Sequence, residues 1–427
     1  MPDVPRSANL VVLPPHLFEK DCVADLALFG GEPWFAEPVH VGRPNVGNRA
    51  RLLARINDML DRRWFSNNGP YVQELESRIA AMLGVRHAIA VANGTVGLQI
   101  VIRAIGLTGE VLVPSFTAAA TAHSLQWQQI APVFCDIDPR SHALDPHQVE
   151  RMITPRTTGI IGVHMWGEPC AVEGLAAIAE RHGFQLLFDA ALAFGCSHAG
   201  RMIGNFGTAE VFSFHATKYF NTFEGGAITT NDDELAAKIR LMKNFGFAGW
   251  ESIVPSGANG CPGINGHLGV NGKMTEVSAA MGLTGLESLD EFIAVNRLNY
   301  CCYRRHLDGI PGLSIFPVTE GEHRNYQHVV IEIDEPRAGI GRDLLVRLLH
   351  AENVLARRYF HPGCHRIEPY RSSPARVALP ETEALCSRIV VLPTGTAVSQ
   401  EDVERICALV RLAIANGEQI TRRAKAG

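Results

Sequence analysis

Short apolar runs alternate with helical patterns through the middle of the chain. The runs that predict buried strands are HAIAVA, EVLVPSF, APVFCDID, GIIGVHMW and FQLLFD. Between them, TVGLQIVIRAIG and AVEGLAAIAERHG have the apolar spacing of helices. Because strands that alternate with helices form mainly parallel sheets covered on both faces, the pattern predicts an α/β fold.

Helical patterns flank this region on both sides. Arg49 to Arg62 and Tyr71 to Leu83 have helical spacing, and Gly84 is a typical helix stop. Residues 273–307 predict one or two long helices, and HVVIEID predicts a later strand. The second half of the chain is therefore expected to end in a smaller α+β domain.

The chain is predicted to have three parts. Trp34 and Phe35 would be costly in a free tail, so the polar segment that contains them is expected to pack on the rest of the protein. The parts are an N-terminal arm (1–45), a large domain (46–285) and a small C-terminal domain (286–427).

Composition and charge exclude several classes of function. The chain has 427 residues, 46% of them hydrophobic, and a net charge of −5 without a basic block, so we expect no nucleic-acid partner. No signal-like N-terminus or bilayer-length apolar run is present, which predicts a cytoplasmic protein without a membrane partner. The ten cysteines form no CxxC pair, and His361, Cys364 and His365 lack a partner cluster, so no metal is expected.

Two charged residues stand out in the stretch from Phe184 to Gly226. Asp189 ends an apolar strand, where ligands of α/β sheets bind, and Lys218 lies among aromatic residues. A partly desolvated lysine has a lowered pKa, and its free amine attacks carbonyl groups. Both residues are explained if Lys218 forms a Schiff base with pyridoxal 5'-phosphate (PLP) and Asp189 pairs with the protonated pyridine nitrogen.

A phosphate site is the other element that this hypothesis needs. Asn93, Gly94 and Thr95 lie between a strand and a helix, where backbone N–H groups and the helix dipole attract anions. Ser213, five residues before Lys218, is placed to add a hydroxyl. The triplet is equally typical of an ordinary turn with a helix cap, and Ser213 of a strand-end hydroxyl.

The order of these motifs resembles a known family. The matching stretches are NGT (93–95), VPSFTAAATA (113–122), PVFCDIDP (132–139), ITPRTTGIIGVH (153–164), FDAALAFG (188–195), FSFHATK (212–218), FEGGAITTND (223–232) and KMTEVSAAMGL (273–283). On these residues the chain is similar to the DegT/DnrJ/EryC1/StrS family of PLP-dependent sugar aminotransferases. The resemblance implies the fold type I (aspartate-aminotransferase-like) architecture, with a mainly parallel seven-stranded sheet and a small C-terminal domain.

The resemblance also implies roles for individual residues. Lys218 and Asp189 would be catalytic, while Gly94, Thr95 and Ser213 would bind the cofactor phosphate. Asn271, in a Gly-rich loop, matches the position that reaches a neighbouring subunit's phosphate, which implies a homodimer with shared active sites.

Two positions depart from the pattern of the family. The third residue after the aspartate is usually Gln or His and contacts the phenolic oxygen of the cofactor, but here it is Leu192. The residue after Thr117 is often aromatic and stacks on the cofactor ring, but here it is Ala118. Another group must then supply the hydrogen bond, and Phe116, His215 or another residue the stacking.

We therefore predict a ping-pong transamination. An amino acid, expected to be glutamate, donates its amino group through pyridoxamine phosphate to a nucleotide-linked keto-deoxysugar, with dTDP-4-keto-6-deoxyglucose favoured, in antibiotic or surface-glycan sugar biosynthesis. Lys218 is the proton carrier. A pyridoxamine-dependent dehydratase is disfavoured because its members carry histidine in place of this lysine.

Other possibilities stay open at this point. A cyclitol ketone is an alternative substrate, and Leu192 and Ala118 are compatible with a PLP-binding, non-catalytic regulatory member. Tyr71, Arg358, His361 and the segment 40–43 are candidates for sugar contacts, although each has an ordinary structural explanation. The Gly/Pro/Asn-rich loop over 255–272 is expected to be functional or mobile.

Overall fold

The computed structural model describes residues 20–247, 268–372 and 377–426. Most of the Gly/Pro/Asn-rich loop therefore lies outside the described residues. The helices are α1 (Arg49–Arg62), α2 (Pro70–Leu83), α3 (Gly94–Ala104), α4 (Ala119–Gln126), α5 (Pro146–Arg151), α6 (Val172–His182), α7 (Asp233–Met242), α8 (Glu276–Glu287), α9 (Leu289–Leu307), α10 (Glu335–Ala338), α11 (Arg342–Ala351), α12 (Pro380–Arg388), α13 (Gln400–Ala415) and α14 (Gly417–Ala426). The strands are β1 (Val39–His40), β2 (His87–Val91), β3 (Glu110–Pro114), β4 (Ala131–Cys135), β5 (Thr157–Val163), β6 (Gln185–Asp189), β7 (Ser197–His198), β8 (Arg201–Met202), β9 (Ala209–Ser213), β10 (Gly226–Thr230), β11 (Leu313–Ile315), β12 (Val329–Ile333), β13 (Val354–Leu355) and β14 (Ile389–Leu392).

A seven-stranded sheet forms the centre of the large domain. Its order is β2-β10-β9-β6-β5-β3-β4, and β10 is antiparallel to both of its neighbours while the other pairings are parallel. The predicted α/β fold with a mainly parallel seven-stranded sheet is confirmed. In this order β2, β6 and β9 run in the same direction, so their carboxyl ends lie at one edge of the sheet.

Apolar side chains cover both faces of this sheet. In β6, Leu186 and Phe188 belong to one buried cluster and Leu187 to another, as the two-residue period of a strand requires. Helices α2, α6 and α8 contribute to the first cluster, and α3, α4 and α7 to the second. Strands buried on both faces read as continuous apolar runs, which is why the sequence pattern identifies them.

The predicted helices are found at their expected places. The first spans Arg49–Arg62 as predicted, and the second begins at Pro70 and ends at Gly84, whose φ of +66° is the left-handed conformation typical of a helix end. The pattern over 273–307 forms two helices, separated at Ser288. Across the described ranges, no helix has the length and apolar character needed to cross a membrane.

The small domain has an antiparallel sheet of its own. Strands β11, β12 and β14 pair in that order, and helices α9, α11 and α13 pack with them around a separate core. The N-terminal segment joins this core through Val23, Leu26 and Phe35, and β1 pairs in parallel with β13. The expected packing of the arm is confirmed, and the exact domain bounds stay a prediction.

A buried ion pair fixes the arm to the small domain. Glu352 is fully buried and lies 2.9 Å from Lys20 Nζ. Its carboxylate also accepts hydrogen bonds from the backbone N–H groups of Ala27 and Trp34, each at 2.8 Å. Because all of these partners are donors, the arm depends on a negatively charged acceptor at position 352.

Replacing this carboxylate by an amide should therefore loosen the arm. Glu352→Gln keeps the shape but places an NH₂ group against donors, and we expect the free energy of unfolding to fall by about 3 kcal/mol. Urea denaturation measures this loss, and limited proteolysis should show earlier cleavage within the arm. Glu320→Gln, which changes an exposed glutamate, is the control. Equal stability of the two variants would contradict the structural role of Glu352.

Candidate active site

A cavity of about 640 Å³ opens at the carboxyl edge of the large sheet. It lies where β2, β6 and β9 end and α3 begins. Its lining residues are Asn93, Gly94, Thr95, Val96, Leu98, Gln99, Ala118, Ala120, Trp127, Asp189, Ala191, Val211, Ser213, His215, Lys218 and Glu224. The structure thus brings six of the predicted site residues (Asp189, Lys218, Gly94, Thr95, Ser213 and His215) to one place.

Asp189 is the last residue of β6, and its side chain is buried. Its Oδ2 accepts a hydrogen bond from Thr121 Oγ1 at 2.8 Å, and its Oδ1 accepts one from the backbone N–H of Ala191 at 3.0 Å. Burial raises the pKa of Asp189, although these hydrogen bonds and the charge of Lys218 oppose the shift. A cation bound beside the carboxylate would stabilise its ionised form.

Lys218 follows β9 and begins a buried aromatic segment. Its backbone N–H donates to the carbonyl of His215 at 2.8 Å, which closes a tight turn. Burial lowers the pKa of the Lys218 ammonium to about 8, while the charge of Asp189 acts in the opposite direction. Within the described ranges, no carboxylate or carbonyl accepts a hydrogen bond from Lys218 Nζ. The residue therefore lines the cavity with an amine that has no described acceptor and a depressed pKa.

The start of α3 forms another part of the cavity. Asn93 caps this helix, because its Oδ1 accepts a hydrogen bond from Val96 N at 2.9 Å. The N–H groups of Gly94 and Thr95 donate to no described residue and belong to the positive end of the helix dipole. An anion such as a phosphate is the ligand that this arrangement favours.

Close backbone approach shapes the same part of the cavity. A Cβ on Gly94 would lie 3.1 Å from Ser213 Cβ, and one on Gly226 would lie 2.9 Å from Gly94 N. Larger residues at these positions would push β2, β9 and β10 apart. The glycines thus keep Ser213 beside the helix start, where its hydroxyl faces the same space.

The donor set fits PLP. Free N–H groups at a helix start suit its phosphate, and a buried carboxylate without a cationic hydrogen-bond partner among the described residues suits its pyridinium. Lys218, with its depressed pKa, suits its aldehyde. The small side chains of Ala118, Ala120 and Ala191 leave room for a ring between these groups.

Two of the predicted cofactor residues lie outside the cavity lining. Phe116 is fully buried in an aromatic cluster, with its ring 6.0 Å from Trp166 and 5.5 Å from Phe360. Asn271 is exposed, forms a backbone bridge with Asn244 and does not line the cavity of its own chain. His215 does line the cavity, and its ring is 2.8 Å from Thr217 Oγ1.

Leu192 points its side chain into the protein instead of the cavity. The side chain is buried in an apolar cluster that includes Phe116, Trp166 and Val330. Its carbonyl accepts hydrogen bonds from Asn325 Nδ2 at 2.9 Å and Gln327 Nε2 at 2.7 Å. The leucine therefore packs where the two domains meet, and it supplies no side-chain hydrogen bond.

The candidates for sugar contacts all have structural partners. The Tyr71 hydroxyl donates to Asp58 at 2.6 Å, and the Arg358 guanidinium donates to Asp343 at 2.8 Å. The other candidates are His361, whose Nδ1 is 3.4 Å from the guanidinium of Arg342, and the segment 40–43, whose His40 pairs with Leu355 of β13. Their roles toward a sugar stay a prediction.

Sequence reasoning missed the residues that orient Asp189. Thr121 donates to the carboxylate and is itself 3.0 Å from the hydroxyl of Thr117. Behind the strand, the buried His164 ring stacks on Phe188 at 5.0 Å and its Nε2 is 3.1 Å from Glu210. The four-residue spacing of the two threonines at the start of a helix was the available signal.

Comparison with known proteins gives relatives over nearly the whole chain. A dTDP-4-amino-4,6-dideoxy-D-glucose transaminase of Shigella dysenteriae is 34% identical over 377 residues, which cover 88% of this chain and 99% of that protein. A GDP-perosamine synthase of Caulobacter vibrioides is 34% identical over 382 residues, which cover 87% and 96%. The crystal structure of DesI in the presence of its TDP-sugar product is 49% identical, with a TM-score of 0.88, and covers 95% of this chain and 100% of that chain.

The match to a family model has similar extent. Residues 48–411 match the model of the DegT/DnrJ/EryC1/StrS aminotransferases, whose members use PLP. This range contains the cavity and every residue proposed to act in it. The fold, the cavity and this match together show that the chain belongs to the DegT/DnrJ/EryC1/StrS aminotransferase family.

Proposed function

We propose that this protein is a PLP-dependent aminotransferase that transfers an amino group from an amino acid to a nucleotide-linked keto-deoxysugar. The observation that carries the proposal is one cavity that contains a buried carboxylate, Asp189, a lysine of depressed pKa, Lys218, and a free helix start at Gly94. These are the three groups that PLP requires.

Each of these residues binds the part of PLP whose charge complements its own. The N–H groups of Gly94 and Thr95, with the Ser213 hydroxyl, bind the phosphate. Asp189, held by Thr121, keeps the pyridine nitrogen protonated. When bound, PLP accepts the electron pair released as a proton leaves the carbon that bears the amine. Lys218 takes that proton and later delivers one to the sugar carbon.

The names of the relatives support the substrate class. The Shigella transaminase is named for a dTDP-linked 4-amino-4,6-dideoxyglucose, and DesI was crystallised with a TDP-sugar. We therefore propose dTDP-4-keto-6-deoxyglucose as the acceptor and glutamate as the donor, in antibiotic or surface-glycan sugar biosynthesis. Because another relative is named for a GDP-linked sugar, the preference for the nucleotide is the property that most needs to be measured.

We further propose a cytoplasmic homodimer in which Asn271 reaches the phosphate of the partner subunit. Asn271 is exposed and lies outside the cavity of its own chain. Apolar side chains nearby are exposed as well, with 72% of Leu268 and 47% of Val270 accessible. Burial of such a patch against a second copy would remove apolar surface from water.

Loss of the lysine amine should abolish transfer. Lys218→Ala removes both the nucleophile and the proton carrier, so we expect amination to fall at least about 10³-fold. Borohydride reduction followed by peptide mass spectrometry should find PLP on Lys218 in the wild type and on no residue in the variant. Lys425→Ala, at the C-terminal end of α14, is the control. Substantial amination by Lys218→Ala would refute the assignment.

Capture of PLP should depend on pH through the Lys218 amine. Since the pKa of Lys218 is lowered to about 8, the reactive free amine increases as the pH rises toward that value. We expect the capture rate of the apoenzyme to rise roughly tenfold per pH unit up to about pH 7 and to level off above about pH 9. Stopped-flow absorbance measures the rate, and N-acetyl-lysine with free PLP is the reference. A rate that keeps rising beyond about pH 10 would indicate an ordinary ammonium group.

The substrate proposal is tested with a panel of ketones. With glutamate as donor, dTDP-4-keto-6-deoxyglucose should give a higher kcat/KM than its GDP-linked counterpart, the free keto-sugar and a cyclitol ketone. Mass spectrometry of the products reports amination directly. A preference for the cyclitol ketone would show that the substrate is not a nucleotide-linked keto-sugar. Failure of glutamate and other amino acids to convert the bound cofactor would favour the non-catalytic alternative.

A further inference from the structure

A thiol, an imidazole and a carboxylate lie together in the small domain. Cys302 and His306 are four residues apart in α9, so their side chains lie on one face of that helix. Glu404 is in α13, which packs against α9. The thiol sulfur, one imidazole nitrogen and one carboxylate oxygen all lie within 4.8 Å of one another. None of the three residues lines the active-site cavity.

The three groups have a buried end and an open end. Cys302 is only 5% exposed, and its sulfur faces the other two groups. His306 and Glu404 are half-buried and line a second cavity of about 600 Å³. Among the residues that the structure describes, none forms a hydrogen bond or an ion pair with the thiol, the imidazole or the carboxylate. All three groups are therefore available to a ligand.

The chemistry of the three side chains is that of a zinc site. Thiolate sulfur, imidazole nitrogen and carboxylate oxygen are the usual protein ligands of Zn²⁺, and accessible sites often have three of them with water in the fourth position. Bonds to zinc are about 2.0–2.3 Å long. Ligand atoms within 4.8 Å of one another therefore reach one ion after side-chain shifts of less than about 1 Å.

The charges around the cluster favour zinc over a harder cation. Burial lowers the pKa of His306, and the charges of Arg305 and Arg411 add to this effect while Glu404 opposes it. The imidazole is therefore neutral and has a free lone pair. The same arginines repel an ion that is held by charge alone, such as Mg²⁺ or Ca²⁺. A bond to the Cys302 sulfur retains Zn²⁺ in spite of that repulsion.

The spacing of residues in the sequence could not show this cluster. Cys302 and His306 are only two ligands, and the third comes from a helix in a distant part of the chain. The expectation that the chain binds no metal was based on contiguous residues. Packing of α13 on α9 is what brings Glu404 to the other two.

We propose that Cys302, His306 and Glu404 bind one Zn²⁺ ion, with water in the fourth position, and that the ion fixes α9 to α13. On binding, the Cys302 S–H bond breaks, its proton goes to solvent and the sulfur bonds to the metal, so nothing is oxidised or reduced. Thiolate and carboxylate together balance the two positive charges of the ion. The site is independent of the proposed role of Lys218.

The test is a zinc titration of the PLP-loaded protein after treatment with a chelator and dialysis. Competition with a chromophoric chelator gives the dissociation constant, and elemental analysis gives the stoichiometry, for which we expect one ion per chain. Cys302→Ser, His306→Gln and Glu404→Gln should each weaken binding at least about tenfold, because each removes a ligand. Cys301→Ser, which changes the exposed thiol next to the cluster, should bind zinc like the wild type.

Cobalt identifies the thiol that binds the metal. The wild type and Cys301→Ser should show a charge-transfer band from thiolate to Co²⁺, and Cys302→Ser should lack it. Thermal unfolding measures the connection between the helices. Zinc should raise the Tm of the wild type but not that of His306→Gln, since only the intact site holds the ion in the folded state.

Each outcome decides the proposal. Failure of the wild type to bind one zinc ion per chain overturns it. Equal affinity in all four variants also overturns it and shows an adventitious ion only. A cobalt band that is lost in Cys301→Ser and kept in Cys302→Ser overturns the choice of ligand. His306→Gln and Glu404→Gln change half-buried side chains, so they decide the matter if circular dichroism shows that Cys302→Ser does not fold.

Discussion

The site depends on holding one carboxylate and one amine out of water in the same cavity. Burial alone would neutralise both groups, as the raised pKa of Asp189 and the lowered pKa of Lys218 show. The carboxylate is kept in place by the Thr121 hydroxyl and the Ala191 N–H. Lys218 has no such partner among the described residues. Asp189 is therefore fixed in position to pair with a cation, and the Lys218 amine is free to react.

Strand order explains how three such different groups meet. Asp189 pairs with Val211 across β6 and β9, so Ser213 lies just beyond the carboxylate at the same edge. Because β10 is antiparallel to both β9 and β2, strand β2 runs in the same direction as β9. Gly94, which follows β2, therefore lies at this edge as well. Gly94 and Ser213 are 119 positions apart in the chain and are neighbours because of backbone pairing. Because Gly94 and Gly226 carry no Cβ, the backbone segments at this edge can approach one another closely.

The sequence contained the information for the fold and for the ends of its strands. Both were readable because buried parallel strands are continuous apolar runs, and a charged residue that ends such a run is conspicuous. Orientation of individual side chains was not readable in this way. Leu192 follows Asp189 by three residues, but its direction is set by Phe116, Trp166 and Val330 from distant parts of the chain. Phe116 was expected near the cofactor, but its side chain packs in that same apolar cluster.

Packing around Leu192 also connects the two domains. The Leu192 side chain fills the apolar space between the domains. Its carbonyl remains available and is held by Asn325 and Gln327. These bonds fix the segment that precedes β12 against the loop that follows Asp189. Leu192 therefore joins the two domains twice, through its apolar side chain and through its carbonyl.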